Sequence, residues 1–187
     1  MGYAGPAMSH QPFTLTMPVG PADHLLGSAH APVQVVEYGD FECPHCRQAV
    51  SAVKLLLKHF EGKASFVFRH YPLEGVHPHA ELAAEASESA GEQGKFWEMH
   101  DLLFENQAHL KASHLRSYAE RLNLDMARFD AELRDHVYLQ RVREHIRTGN
   151  ESGIRSTPGF FVGGRIQDVS FGLDALFKAV EAGLARK

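Results

Sequence analysis

The stretch Phe41-Glu42-Cys43-Pro44-His45-Cys46 holds the only two cysteines among the 187 residues of the chain. Residues 33–38, just before it, are rich in β-branched side chains and predict a buried strand. From Gln48 onward apolar residues recur at helical spacing, and Pro44 suits the first turn of that helix because its missing N–H needs no partner there. The sequence therefore predicts that the first cysteine lies at a helix N-terminus and the second lies one turn later.

Two cysteines at this spacing can form and break a disulfide with little backbone movement. Residues three apart on a helix have Cβ atoms roughly 5–6 Å apart, and a disulfide needs ~3.5–4.5 Å. Unpaired amides at the helix start favour the thiolate of Cys43, and the side chain of His45 can add positive charge. Because a stabilised thiolate favours the reduced pair, the Cys43–Cys46 disulfide would act as an oxidant without any further cofactor.

A zinc site is the structural alternative to redox chemistry. A CxxC pair is half of such a site, and two further ligands are normally needed. The chain has no other cysteine; His77 and His79 could supply two nitrogen ligands, but Pro78 between them favours an extended backbone. We therefore favour a redox-active dithiol with no bound metal, and we interpret both histidines as surface residues at a helix start.

Two acidic residues flank the dithiol in sequence. Negative charge on Asp40 and Glu42 would oppose formation of the Cys43 thiolate and would partly offset the effect of His45. We predict that both carboxylates lie exposed in the loop before the helix.

Composition excludes several classes of function. The net charge is −4 and there is no run of Lys or Arg, which disfavours nucleic-acid binding. No apolar stretch approaches the ~20 residues that span a membrane, so stable membrane insertion is not expected. Residues 1–11 lack a basic segment followed by an apolar one, so we predict a cytoplasmic protein. The alternative is a periplasmic or otherwise exported protein whose printed sequence is its mature form.

The pattern along the chain predicts an α/β fold in which a mixed sheet flanked by helices is interrupted by an all-helical insertion. We predict a disordered tail over residues 1–12, a sheet domain over 13–76 and 154–187, and an inserted helical domain over 77–153. Within these ranges we expect a short strand at 13–17, a loop at 18–32 and a parallel βαβ unit ending at 64–69. A tight hairpin is expected at Gly163-Gly164. Ser113 and Asp125 are the expected caps of two inserted helices.

Several motifs over about residues 18–183 resemble the DsbA family of thiol:disulfide oxidoreductases, in which a helical domain interrupts a thioredoxin fold. The resemblance implies that the sheet domain over 13–76 and 154–187 is a thioredoxin-like mixed sheet flanked by helices. The Pro-His dipeptide between the cysteines is the first match. The other matching stretches are 37–42 (EYGDFE), 68–73 (FRHYPL), 94–100 (GKFWEMH) and 157–164 (TPGFFVGG).

The resemblance implies roles for residues around the dithiol. Pro158 would be the family's cis-proline, which lies against the cysteines, and Thr157 would offer backbone groups to an extended substrate. Glu37 would be a buried acid that relays a proton near Cys46, with a pKa raised by burial. Phe41 and Pro44 would flank the dithiol as substrate contacts.

The implied function is disulfide exchange with protein or peptide thiols in the oxidising direction, with an unidentified redox partner that recycles the pair. A monomer is expected because the chain has no room for the separate dimerisation domain of related isomerases. One alternative is a cytoplasmic reductase, isomerase or redox responder on the same fold. Another is a non-enzymatic, chaperone-like module that binds peptides in a groove between the helical block and Pro158.

Overall fold

The structure, a computed structural model, describes residues 13–186, so the tail predicted over residues 1–12 lies outside the described residues. The described residues form one sheet with helices packed against it. The strands are β1 His24–Gly27, β2 Val33–Gly39, β3 Ala64–His70, β4 Gly159–Val162 and β5 Arg165–Gln167. The helices are α1 Pro44–His59, α2 Ala80–Gly91, α3 Phe96–Glu105, α4 Ala112–Arg121, α5 Met126–Arg134, α6 Leu139–Glu151 and α7 Asp174–Ala185.

The sheet is mixed and has the strand order β1-β3-β2-β4-β5. Strands β2 and β3 are parallel and are joined through α1, which confirms the predicted βαβ unit. Strands β4 and β5 form the predicted antiparallel hairpin. Gly163 and Gly164 in its turn have φ values of 55° and 77°, a region that glycine adopts without steric cost.

The first strand was predicted in the wrong place. Residues 13–17 contribute only an isolated bridge between Thr14 and Arg165, whereas β1 lies inside the segment predicted to be a loop. Buried Arg69 on β3 holds the intervening chain through hydrogen bonds to the Met17 carbonyl (2.8 Å) and to both carboxylate oxygens of Asp23 (2.8 and 2.9 Å). These long-range contacts, which have no local pattern, hold the segment leading into the edge strand.

The two faces of the sheet are covered by different helices. On one face Val35, Phe66 and Phe160 join a core with residues of α1 and α7, while Val36 and Tyr38 point to the other face, where Ile146 of α6 packs. Because side chains alternate along a strand, Glu37 shares the face of Val35 and points toward α1. The pattern therefore places a carboxyl group beneath the helix that carries both cysteines.

Helices α2 to α6 lie between β3 and β4, as predicted for the insertion. Asp125 caps α5, with its Oδ1 accepting a hydrogen bond from the Arg128 amide at 3.0 Å. Ser113 was wrongly predicted as a cap, because α4 begins one residue earlier and Lys111 occupies the N-cap position. The domain boundaries at 76/77 and 153/154 stay a prediction.

Candidate dithiol active site

The dithiol lies where the end of β2 leads into α1. Cys43 is the N-cap residue of α1 and Pro44 its first residue, as predicted. Strand β4 runs antiparallel to β2, so the start of β4 reaches the same edge of the sheet. The Thr157-Pro158 bond before β4 is cis, as the family resemblance implied. The Cys43 Sγ lies 3.4 Å from the Thr157 carbonyl oxygen and donates a hydrogen bond to it when it is a thiol, which brings together residues 114 positions apart.

Both cysteines are free thiols and are buried, with Cys43 4% exposed and Cys46 fully covered. The pKa of Cys43 falls to about 5, chiefly because the Cys46 thiol donates a hydrogen bond to it. Burial opposes this fall, but the Thr157 side chain and the backbone amides of Cys46 and His45 lower the pKa further. Cys43 is therefore a thiolate near neutral pH, stabilised chiefly by the Cys46 thiol and to a smaller extent by the amides at the start of the helix, which the sequence predicted.

The residues predicted to flank Cys43 differ in their exposure to solvent. His45 is exposed, and its backbone amide acts on the Cys43 pKa, while a charge effect of its ring stays a prediction. Pro44 is exposed beside the dithiol. Phe41 is only 1% exposed, and its ring centroid lies 5.2 Å from that of Phe68 and 5.0 Å from that of Phe104. Its side chain therefore belongs to the core, which corrects its expected role as a substrate contact.

Cys46 and Glu37 form the buried side of the site. Burial raises the pKa of Cys46 well above its usual value, and the neighbouring Cys43 and Glu37 raise it further. Glu37 is 3% exposed, and burial followed by the charge of Cys43 raises its pKa to about 8. Its Oε1 has no hydrogen-bond partner among residues 13–186. Glu37 is thus a buried carboxylic acid that holds a proton at neutral pH, which agrees with its predicted burial.

A cavity reaches Glu37 from the surface between α1 and α3. It has a volume of about 190 Å³ and is lined mainly by apolar side chains, with charged groups also present. The apolar residues are Leu26, Val50, Val53, Phe66 and Trp97, and the other lining residues are Lys54, Glu98, His100 and Asp101. The carboxyl group of Glu37 therefore lies at a cavity rather than inside continuous packing.

The prediction that Asp40 and Glu42 are exposed loop charges is wrong. Asp40 is 1% exposed, and its Oδ2 accepts hydrogen bonds from the Leu73 amide (2.8 Å) and from His77 Nδ1 (2.7 Å). Glu42 is partly buried, and its two oxygens accept hydrogen bonds from the His79 amide (2.6 Å) and from His79 Nδ1 (2.9 Å). Both histidines, interpreted as surface residues without a role, are therefore partners of the carboxylates before Cys43.

These pairings bear on the zinc alternative. The Nδ1 atoms of His77 and His79 face carboxylates rather than the cysteine sulfurs. The part of the chain that the structure describes contains no group of three or more His, Cys, Asp or Glu residues placed to hold a metal ion. A zinc site built from both cysteines and both histidines thus has no ligand set there.

A residue of the helical insertion, Gln107, contacts the dithiol loop, and this contact was not predicted from the sequence. Gln107, just beyond α3, donates two hydrogen bonds from its Nε2, to the Phe41 carbonyl and to the Cys43 carbonyl, each at 2.8 Å. Its amide therefore fixes the backbone that leads into the dithiol. A glutamine in a loop after a helix has no distinguishing sequence pattern. Its role is visible only in the fold, which brings it against Cys43, 64 residues away in sequence.

An open groove of about 510 Å³ runs beside the dithiol. Its walls are formed by residues before cis-Pro158 and by the segment between β5 and α7. The lining residues are His45, Gln48, Ser156, Thr157, Pro158, Val169, Ser170, Gly172 and Leu173. Phe171, between two of the lining residues, is 98% exposed. The groove could accept an extended segment beside Cys43, and its far wall was not predicted from the sequence.

No helix within residues 13–186 is both long and apolar enough to cross a membrane.

Solved structures with a similar fold include BdbD and DsbA proteins. BdbD from Bacillus subtilis in its oxidised form is 26% identical and superposes with a TM-score of 0.78 over 86% of this chain and 92% of that one. DsbA2 from Pseudomonas aeruginosa is 24% identical, with a TM-score of 0.70 over 91% and 98% of the two chains. The second likeness concerns the fold alone.

Curated relatives match at higher identity but over a small part of their own length. A protein named Na(+)/H(+) antiporter NhaA 1 from Salinispora arenicola is 49% identical over 172 residues, which are 91% of this chain and 26% of that protein. A protein of the same kind from Salinispora tropica is 46% identical over the same shares. The chain thus spans about a quarter of the length of these relatives.

A protein-family model matches most of the chain. The model described as Thioredoxin matches residues 20–182, which include both cysteines, the helical insertion and the cis-proline. The chain therefore belongs to the thioredoxin family, and it carries the inserted helices and the Cys-Pro-His-Cys dithiol on which its resemblance to the DsbA family rests.

Proposed function

We propose that the chain exchanges disulfides with protein thiols through Cys43 and Cys46, in the oxidising direction. The observation that carries this proposal is the asymmetry of the dithiol: the pKa of Cys43 is lowered to about 5, while that of Cys46 is raised well above its usual value. A thiol of low pKa is a good leaving group, and its stable thiolate favours the reduced enzyme. Both effects drive electrons from substrate to enzyme.

The exchange balances in two steps. A substrate thiolate attacks Cys43 Sγ of the oxidised pair, a mixed disulfide forms, and the Cys43–Cys46 bond breaks with Cys46 leaving. Glu37, which holds a proton at neutral pH, is the buried acid available to protonate Cys46. A second substrate thiolate then attacks the substrate sulfur of the mixed disulfide and expels Cys43 as a thiolate. The substrate gains a disulfide, and the enzyme holds the two electrons until a redox partner removes them.

The groove beside the dithiol supports a peptide segment as the substrate. An extended chain can pair with free backbone groups at a strand edge while its side chains occupy neighbouring pockets. Thr157 and Pro158 line the groove next to Cys43, and exposed Phe171 offers an apolar contact beside it. The same groove favours the chaperone-like alternative, in which peptides bind without redox chemistry.

The curated relatives are named antiporters, and these names do not identify the redox partner that our proposal requires. Antiport belongs to proteins about four times as long, and we do not propose it for this chain, whose own site is a dithiol. An oxidising dithiol needs surroundings in which its disulfide persists, which favours an exported or periplasmic setting. The function thus favours the second of the two locations considered from the sequence.

Equilibration with glutathione buffers tests the direction without a known substrate. We expect a reduction potential of about −180 mV or higher, in the range of oxidising members of the fold. A potential near about −270 mV, the range of thioredoxin, would overturn the oxidising direction and favour the reductase alternative.

Two serine variants test the mechanism with a reduced, unfolded test protein. Cys43→Ser should reduce turnover to the uncatalysed background. Cys46→Ser, given instead a test protein that carries a disulfide, should accumulate mixed disulfides visible on a non-reducing gel, because Cys43 attacks that disulfide and no Cys46 thiol resolves the product. Substantial turnover by Cys43→Ser would contradict the role assigned to Cys43. If the double serine variant prevents aggregation of the test protein as well as the wild type does, while the wild type forms no disulfides, the chaperone-like function replaces ours.

A further inference from the structure

Two carboxylates in the loop before Cys43 are each paired with a histidine, and both histidines belong to one loop. Asp40 pairs with His77, Nδ1 to Oδ2 at 2.7 Å, and Glu42 pairs with His79, Nδ1 to Oε1 at 2.9 Å. The histidines belong to the segment that joins β3 to α2, 37 residues away in sequence. A carboxylate oxygen only accepts hydrogen bonds, so each Nδ1 carries the proton.

Asp40 is the member of this group with direct contacts to the dithiol. Its carbonyl accepts a hydrogen bond from the Cys43 amide at 3.1 Å, and its own amide donates to Cys46 Sγ at 3.5 Å. Its carboxylate is fully covered, while the side chains of His77 and Glu42 are 20% and 15% exposed. Water therefore screens charges at Asp40 weakly.

An unpaired negative charge at Asp40 would raise the pKa of a neighbouring thiol, because like charges disfavour the ionised form. When its ring carries a proton on both nitrogens, His77 makes the Asp40–His77 pair neutral, and His79 in the same form does so for Glu42. The amides at the start of α1 then act on Cys43 without an opposing charge in the preceding loop.

We propose that His77 and His79 are positioning residues that set the reduction potential of the dithiol by neutralising Asp40 and Glu42. The inference rests on the proposed thiol–disulfide exchange. His77 has the larger effect, since its partner is fully covered and adjoins Cys46. His79 has the smaller effect, since its side chain is 36% exposed and solvent screens the pair.

The test compares His77→Asn and His77→Ala in glutathione equilibria at pH 6, where free histidine is mostly protonated. Asparagine can retain a donor to Asp40 near the position of Nδ1, but it cannot carry the charge. We expect both variants to shift the equilibrium about tenfold toward the disulfide, which lowers the potential by about 30 mV. Thiolate absorbance should show a Cys43 pKa higher by about one unit. A smaller shift in the same direction is expected for His79→Asn.

Asp40→Asn combined with His77→Ala is the rescue experiment, because the proposal requires His77 to act through the charge of Asp40. The double variant should return toward the wild-type potential. His30→Ala is the matched control, since it removes an exposed imidazole before the opposite end of β2 and should leave the potential unchanged. Urea unfolding of each variant shows that it folds, and His77→Asn keeps the test valid if His77→Ala does not.

The outcomes separate this inference from the proposed function. Wild-type potential and Cys43 pKa in His77→Ala would overturn the inference, as would restoration of both by His77→Asn, since that variant lacks the charge. Failure of the Asp40→Asn rescue would also overturn it. If the wild type itself forms no disulfide in glutathione buffers, the proposed function fails instead.

Discussion

Glu37 and Glu88 are both buried glutamates, yet their surroundings have opposite effects on them. Glu37 points from β2 toward α1 beneath the dithiol, and burial raises its pKa to about 8. Glu88 on α2 is also fully buried, and burial alone would raise its pKa. Hydrogen bonds with His24 and His70 outweigh that effect and lower the pKa well below its usual range.

The difference lies in the partners. Glu88 accepts hydrogen bonds from His24 Nε2 (3.0 Å) and His70 Nε2 (2.7 Å), which belong to two strands, and forms an ion pair with Arg141 Nη1 (2.8 Å) of α6. Glu37 has an Oε1 without a partner among the described residues and a cavity beside it. The Glu88 cluster joins the sheet to the inserted helices, whereas Glu37 keeps a proton available near the sulfur of Cys46. Equal burial therefore leads to stability in one region and to reactivity in the other.

Removing Glu88 should produce the largest loss of stability. Glu88→Ala leaves Arg141 and two histidines without their shared carboxylate, and breaking a buried ion pair costs about 3–5 kcal/mol. Urea unfolding at pH 7 measures the loss, while the reduction potential of the dithiol should stay unchanged.

The stabilising effect of Glu88 should also depend on pH. Because its folded-state pKa is lowered, its contribution is present above the pKa of the unfolded chain, about 4.3, and decreases as pH falls toward the folded-state pKa. The difference in unfolding free energy between wild type and Glu88→Gln should therefore shrink below about pH 4. A difference that does not change with pH would contradict the assigned ion pair.

Glu37→Gln should increase the free energy of unfolding, whereas the Glu88 substitutions decrease it. The raised pKa of Glu37 favours the unfolded chain once pH exceeds about 4.5, so the wild type loses stability as pH rises toward about 8. The reduced variant should be more stable by about 3 kcal/mol at pH 7, and the gain should vanish below about pH 4. Urea unfolding at several pH values measures both effects.

Glu37→Gln should also slow disulfide exchange, because glutamine cannot protonate Cys46. Stopped-flow measurement of the first exchange step checks this expectation. A variant that is less stable than wild type at pH 7, or one that exchanges at the wild-type rate, would contradict the role assigned to Glu37.

Gln107→Ala should have the smallest effect and tests whether neutral contacts also join the insertion to the dithiol. The variant loses two hydrogen bonds to the carbonyls of Phe41 and Cys43, which should cost about 1–2 kcal/mol. Asn106→Ala is the matched control, because it removes one bond to Leu102 within the end of α3. Hydrogen exchange of the amides around Cys43 should accelerate only in Gln107→Ala; equal exchange in both variants would contradict a fixing role for Gln107.

Much of the fold follows from local pattern. The β-branched run before Cys43, the helical spacing after Pro44 and the two glycines of the hairpin each predicted the element that the structure contains. The family resemblance further implied the cis bond before Pro158 and the burial of Glu37. Local pattern failed for β1, a four-residue edge strand that is defined by its pairing with β3.

The site shows the same division. The sequence by itself determined the dithiol and its place at a helix start, because spacing within one turn is a local property. Only the tertiary structure decided which charges surround it: buried Asp40 and partly buried Glu42 pair with histidines 37 residues away, and Gln107 contacts Cys43 from 64 residues away. The ionisation of a buried group depends on partners that distant segments supply, and those contacts exist only once the chain has folded.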